Sequence, residues 1–221
     1  MLSQNLNPEH VSVCNNASWA LGEVVLQLGP QAAPYANDIF ANLLRILCRG
    51  PELPPISITL QENIAITVGR LGCVCPGTPK AIEIASNHTL RLVDVIAPHL
   101  QLFFLPWCDV VSKIRDNAEK ASAFKGICNV IQLNPAAIVN VRTPVQKKEK
   151  IFSNRRKKKK FLPSFCIAVS SWSNPKPELA SLFAQILNGY RTSLGASWPQ
   201  FYNSLHEGLR NDLRAKYQLI G

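Results

Sequence analysis

Long apolar runs are missing from this sequence. No stretch reaches the roughly 18 to 20 uninterrupted residues that a membrane-spanning helix requires. The best candidate, Val93 to Trp107, is broken by Pro98, His99, Gln101 and Pro106. No membrane partner is therefore expected. Alternating apolar and polar positions are scarce too, which argues against an extensive half-buried sheet. Charge is sparse at 17% of residues, and acidic residues are few, 14 against 24 basic ones. No secretory signal pattern opens the chain. Its seven cysteines, odd in number and mostly set in apolar runs, suit free thiols of a reducing, intracellular compartment.

The signatures of catalysis and metal binding are missing as well. The four histidines, His10, His88, His99 and His206, are scattered and have no carboxylate or cysteine partner at a motif spacing. Cys73-Val74-Cys75 is not a C-x-x-C pair, and no second pair completes a zinc set. Gly69 and Gly72 lack the lysine and hydroxyl residue of a phosphate-binding loop, and no G-x-S-x-G elbow occurs. The chain reads as a non-enzyme without cofactor or metal.

What is present is repetition. "NASWALGEVVLQLGP", "NIAITVGRLGCVCP" and "KASAFKGICNVIQLNP" align on Gly22, Gly69 and Gly126. Each has a polar residue six positions before the glycine, an apolar run after it and a proline a few positions further on. The glycines lie 47 and 57 residues apart, and the first interval matches the helical pairs of HEAT or armadillo arrays. The excess in the second falls within Gly77 to Ile96. Between the copies, "PYANDIFANLLRILCR" places Ile39, Leu43, Leu44 and Leu47 on one helical face. Pro30, Pro34, Pro76, Pro98, Pro106 and Pro135 fall between periodic stretches, where proline ends or opens a helix. The expected fold is all-α, a solenoid of antiparallel helix pairs.

The net charge of +10 belongs to one segment. Ten basic residues against the single acid Glu149 lie between Arg142 and Lys160, including the run "RRKKKK". Such a block repels itself and reads as a disordered, solvated loop that can bind nucleic acid without specificity. The rest of the chain is close to neutral. Helical periodicity resumes at "FCIAVSSW" and ends in a stripe of Phe201, Leu205, Leu209 and Leu213, read as a cap.

The strings "CNNASWALGE", "ENIAITVGRLGCVCP", "PWCDVVSKIRDNAEKASAFKGIC", "NPAAIV", "SWSNPK" and "LRAKYQLIG" resemble, in order, the C-terminal end of the transportins, karyopherin-beta nuclear import receptors for cargo bearing proline-tyrosine localisation signals. The resemblance implies HEAT repeats, about three of them, over 1–140 with an atypical insertion near 77–95. A basic disordered insertion then covers 141–164, and C-terminal repeats and a cap cover 165–221. It also implies an extended cargo peptide lying along the concave surface. The family's cargo-contact tryptophan matches Trp19, with Asn15 and Asn16 on the same helical patch, and its asparagine matches Asn63. Glu62 and Lys120 fall near the same face by alignment. An indole offers rigid area and an amide can bond both N–H and C=O of an extended chain. The pattern alone favours Trp19 packing between repeats and the asparagines capping helices; the resemblance reverses that preference. Trp107, Trp172 and Trp198 are read as core.

The implied location is cytoplasm and nucleus, and the implied partners are the localisation signals of RNA-binding-type cargo. Nucleoporins are further candidates, and the GTPase Ran binds only the N-terminal arch of full-length family members. The alternative is a HEAT-type scaffold, or a truncated splice product, whose basic loop at 142–160 binds nucleic acid.

Overall fold

The computed structural model describes residues 2–50, 53–74, 96–139 and 161–221. The insertion expected near 77–95 and the basic segment over 141–160 lie outside them. Among the described residues there are nine α-helices and no strand: α1 (Val11–Leu28), α2 (Ala36–Leu47), α3 (Ile58–Leu71), α4 (Leu100–Val111), α5 (Ala118–Leu133), α6 (Phe161–Ser170), α7 (Pro177–Leu194), α8 (Trp198–Asn203) and α9 (Glu207–Tyr217).

Local chemistry sets the boundaries. Ser57 accepts a hydrogen bond from the Leu60 N–H at 3.3 Å to start α3, and Asn117 accepts from the Lys120 N–H at 2.7 Å to start α5. Both are side-chain N-caps satisfying otherwise orphaned amides. Pro177 opens α7, and Gly195, at φ 47°, ends it. Pro30, Pro34, Pro98 and Pro135 occupy 3-10 turns between helices. Pro106 does not: it lies inside α4. Proline cannot donate to the carbonyl four residues back, and that carbonyl, on Leu102, instead receives the Cys48 thiol at 3.7 Å. The residue that ends α2 thus supplies the donor that the proline lacks.

The helices form two rows, the arrangement of an all-α HEAT-repeat solenoid. In one row α1 packs on α3, α3 on α5 and α5 on α7; in the other α2 packs on α4 and α4 on α6, with α9 closing against α6 and α7. Gly22, Gly69 and Gly126, the three aligned glycines, all lie in the first row. A methyl group on Gly126 would sit 1.9 Å from the Gly69 carbonyl oxygen, and one on Gly69 would sit 2.6 Å from the Ala123 Cα. The repeat in the sequence is therefore the seam along which these backbones touch.

A ring cluster fills the space between the rows. Phe124 packs edge-on against Trp107, Phe183 and Trp172 at centroid distances of 5.1, 5.3 and 6.0 Å, and Phe183 reaches Tyr217 at 5.8 Å. Trp107, Trp172 and Trp198 are buried, as the sequence indicates.

Two expectations need correcting. The basic segment cannot extend to 164 as disorder, because residues 161–164 form the first turn of α6 and Phe161 and Leu162 are buried. The stripe of Phe201, Leu205, Leu209 and Leu213 is also divided between α8 and α9 by a turn at 204–206. The cap is completed by the tail: the Trp198 indole donates to the Ile220 carbonyl at 2.8 Å and the Tyr202 hydroxyl to that of Leu219 at 3.0 Å. Of the described cysteines, Cys14, Cys108, Cys128 and Cys166 are buried, Cys73 is half-buried and Cys48 is exposed. No helix among the described residues is long and apolar enough to cross a membrane.

Candidate functional site

Trp19 is the exception among the four tryptophans. It lies on α1, 47% exposed, where the other three are almost fully enclosed. An exposed indole forgoes the burial that normally stabilises so large a side chain. It is nevertheless held: Nε1 donates to Glu119 Oε1 on α5 at 2.8 Å, crossing the intervening α3.

One turn before Trp19, Asn15 is half-buried and Asn16 exposed. Asn63 on α3 donates from Nδ2 to Asn15 Oδ1 at 3.0 Å and, at the limit of hydrogen-bond length, to the Asn15 carbonyl at 3.5 Å. This pairing leaves the Asn15 amide nitrogen and the Asn63 amide oxygen without a partner among the described residues. One amide donor and one amide acceptor are therefore left over, the two kinds of group that engage an extended backbone. Glu62, the neighbour of Asn63, is half-buried and makes no polar contact among the described residues. The structure thus brings Trp19, Asn15, Asn16, Asn63 and Glu62 onto two adjacent helices of one row.

Lys120 does not join them. Its side chain is fully buried, and its ammonium donates to the Ile114 carbonyl at 2.8 Å, to Asp116 Oδ1 at 3.0 Å and to Ser171 Oγ at 3.4 Å, 4.8 Å from the centre of the Trp172 ring. Alignment set it near the same face, but the long side chain turns inward to satisfy the turn before α5. Burial pushes its ammonium pKa down, with Asp116 opposing that shift. Burial also works against the charge on Asp116. Hydrogen bonds from the Ser173 N–H, at 2.7 Å, and from Lys120 outweigh it and hold this carboxyl below the usual carboxylate range.

Sequence reasoning missed the polar hub under Trp19. Arg70 on α3, 4% exposed, contacts Glu23 of α1 at 2.7 Å, Ser122 Oγ of α5 at 3.0 Å and Glu119 of α5 at 3.6 Å. Ser122 in turn donates to the Glu119 carbonyl at 2.7 Å, and the Thr67 hydroxyl donates to the Ser18 carbonyl at 2.7 Å. A buried guanidinium needs such partners. The available signal was positional: Glu23 and Arg70 each directly follow a seam glycine. Among the described residues, no three His, Cys, Asp or Glu side chains gather as a metal set.

Comparison with known proteins places these helices. Transportin-1 of Mus musculus and of Homo sapiens is 39% identical over 218 residues, which is 98% of this chain and 20% of the relative. Transportin of Dictyostelium discoideum is 31% identical over 224 residues, 99% of this chain and 19% of the relative. Importin subunit beta-2 of Schizosaccharomyces pombe is 33% identical over 180 residues, 81% of this chain and 15% of the relative. The chain therefore spans about a fifth of the length of the curated relatives it matches. No protein-family model matches it.

Proposed function

From the premise that this chain belongs to the transportin family of karyopherin-beta proteins, we propose that it is a peptide-gripping portion of a nuclear import receptor and takes extended proline-tyrosine localisation signals. The observation that carries this reading is the exposed but hydrogen-bonded Trp19, beside the half-satisfied amides of Asn15 and Asn63. A rigid aromatic costs little conformational entropy on binding, and amides adapt to a ligand without fixed structure. Asn16 and Glu62 border the same patch and are assigned to it. Lys120 is assigned to the fold instead. Cargo recognised in this way would be carried between cytoplasm and nucleus, without enzymatic chemistry.

Titration of the purified chain with a synthetic proline-tyrosine signal peptide tests the reading. Trp19→Ala should weaken binding about tenfold, or about 1.4 kcal/mol, in the range of an aromatic hot spot. Unchanged affinity in a variant with wild-type circular dichroism would remove Trp19 from the site. Deleting 142–160 separates the nucleic-acid alternative: peptide binding should survive, while any salt-sensitive RNA binding should vanish.

A further inference from the structure

The indole of Trp19 and the guanidinium of Arg70 share one carboxylate. Glu119 accepts the indole N–H at 2.8 Å and lies 3.6 Å from Arg70, which is itself bonded to Glu23 at 2.7 Å. The shorter bond goes to the tryptophan. An exposed ring on a helix surface can occupy more than one rotamer, and an acceptor fixed on another helix removes that freedom before a ligand arrives. Glu119 is well placed for the task. It stands in the first turn of α5, its neighbour Ser122 bonds both its backbone and Arg70, and α5 is locked to α3 by the glycine seam.

We propose that Glu119 is a positioning residue for ligand recognition: it clamps the Trp19 ring from across α3 in the orientation that receives the peptide, preorganising the site instead of contacting the ligand. This rests on the peptide-binding reading above. Arg70, 3.6 Å away, then helps to keep Glu119 aimed, and Glu23 completes the line across the three helices.

A measurement that needs no ligand tests the clamp directly. Because Trp107, Trp172 and Trp198 are buried, quenching of the chain's fluorescence by neutral acrylamide reports chiefly on Trp19, as Trp19→Phe would verify. Glu119→Ala should at least double the quenching constant and weaken signal-peptide binding about fivefold. Glu119→Gln retains an oxygen that accepts the same N–H and should stay within twofold of wild type in both. Circular dichroism checks that each variant is folded. Unchanged quenching in Glu119→Ala overturns the clamp. Raised quenching with unchanged affinity overturns its role in recognition, as does a Gln variant as impaired as the Ala variant, which would assign the effect to charge. If Trp19→Ala itself leaves affinity intact, the peptide-binding reading fails, while the quenching result still decides whether the clamp exists.

Discussion

The seam between α1, α3 and α5 and the ring cluster between α4, α5, α6 and α7 hold the same kind of helix pair together by opposite means. At the seam, glycine and alanine let backbones touch, and the side chains around them are polar: Thr67, Arg70, Glu119 and Ser122 bridge one helix to the next. In the cluster, Phe104, Trp107, Phe124, Phe165 and Phe183 interlock at 5.1 to 6.4 Å. The seam obtains its rigidity from close approach and can leave its outer surface polar and available. The cluster obtains its rigidity from buried apolar area and offers no such surface. The exposed ring of Trp19 lies over the seam, whereas the buried rings build the wall behind it.

Substitutions can break this contrast in order of size. Phe124→Ala removes the hub of the ring cluster and should cost about 4 kcal/mol in chemical denaturation, since neighbouring rings cannot collapse fully into the cavity. Gly126→Ala should cost about 3 kcal/mol, because its methyl group meets the Gly69 carbonyl and the backbones must separate. A cost as small as an ordinary surface change would mean that the seam is more pliant than the backbone contact implies. Its disturbance should also loosen Trp19, which the Phe124 variant should do less.

Asp116→Asn tests the polar clamp where the two regimes meet. The Lys120 ammonium and the Ser173 N–H bond different carboxylate oxygens, and in the amide one of these becomes an NH2 that cannot accept, so the variant should lose about 2 kcal/mol at pH 7. The folded carboxyl ionises at lower pH than the unfolded one. Its stabilisation is therefore complete above the ordinary carboxylate range and lost as pH falls below about 4. The gap between wild type and variant should narrow progressively in melting experiments taken below about pH 4; a gap that does not narrow would exclude ionisation as the cause. The smallest effect should be favourable. Gly189 in α7 has open space where a Cβ would stand, so Gly189→Ala should stabilise the chain by about 0.5 to 1 kcal/mol. That opposite sign would separate a glycine the seam requires from one it does not.

Legibility followed the same division. The aligned glycines, the turns marked by Pro30, Pro98 and Pro135, and the apolar face of Ile39 and Leu43 were readable, because each depends on chain neighbours within a turn or two. Asn15, Asn16 and Trp19 were readable as one patch for that reason. Pro106 was misplaced because the donor that satisfies the Leu102 carbonyl comes from Cys48, at the end of α2 and far away in the chain. Lys120 was set near the same face by alignment, which fixes where a side chain begins, while a four-carbon stem can end wherever a carbonyl and a carboxylate wait.

By itself the sequence determined the helical rhythm, the seam glycines and the grouping of an indole with amides, since a period of 3.6 residues maps spacing directly onto a helix face. Only the tertiary structure decided that Trp19 is exposed and tethered to a carboxylate 100 residues away, and that Arg70 ties three helices together while Lys120 is enclosed. Those outcomes depend on how closely the helices approach one another, and that distance is set by packing across the whole array.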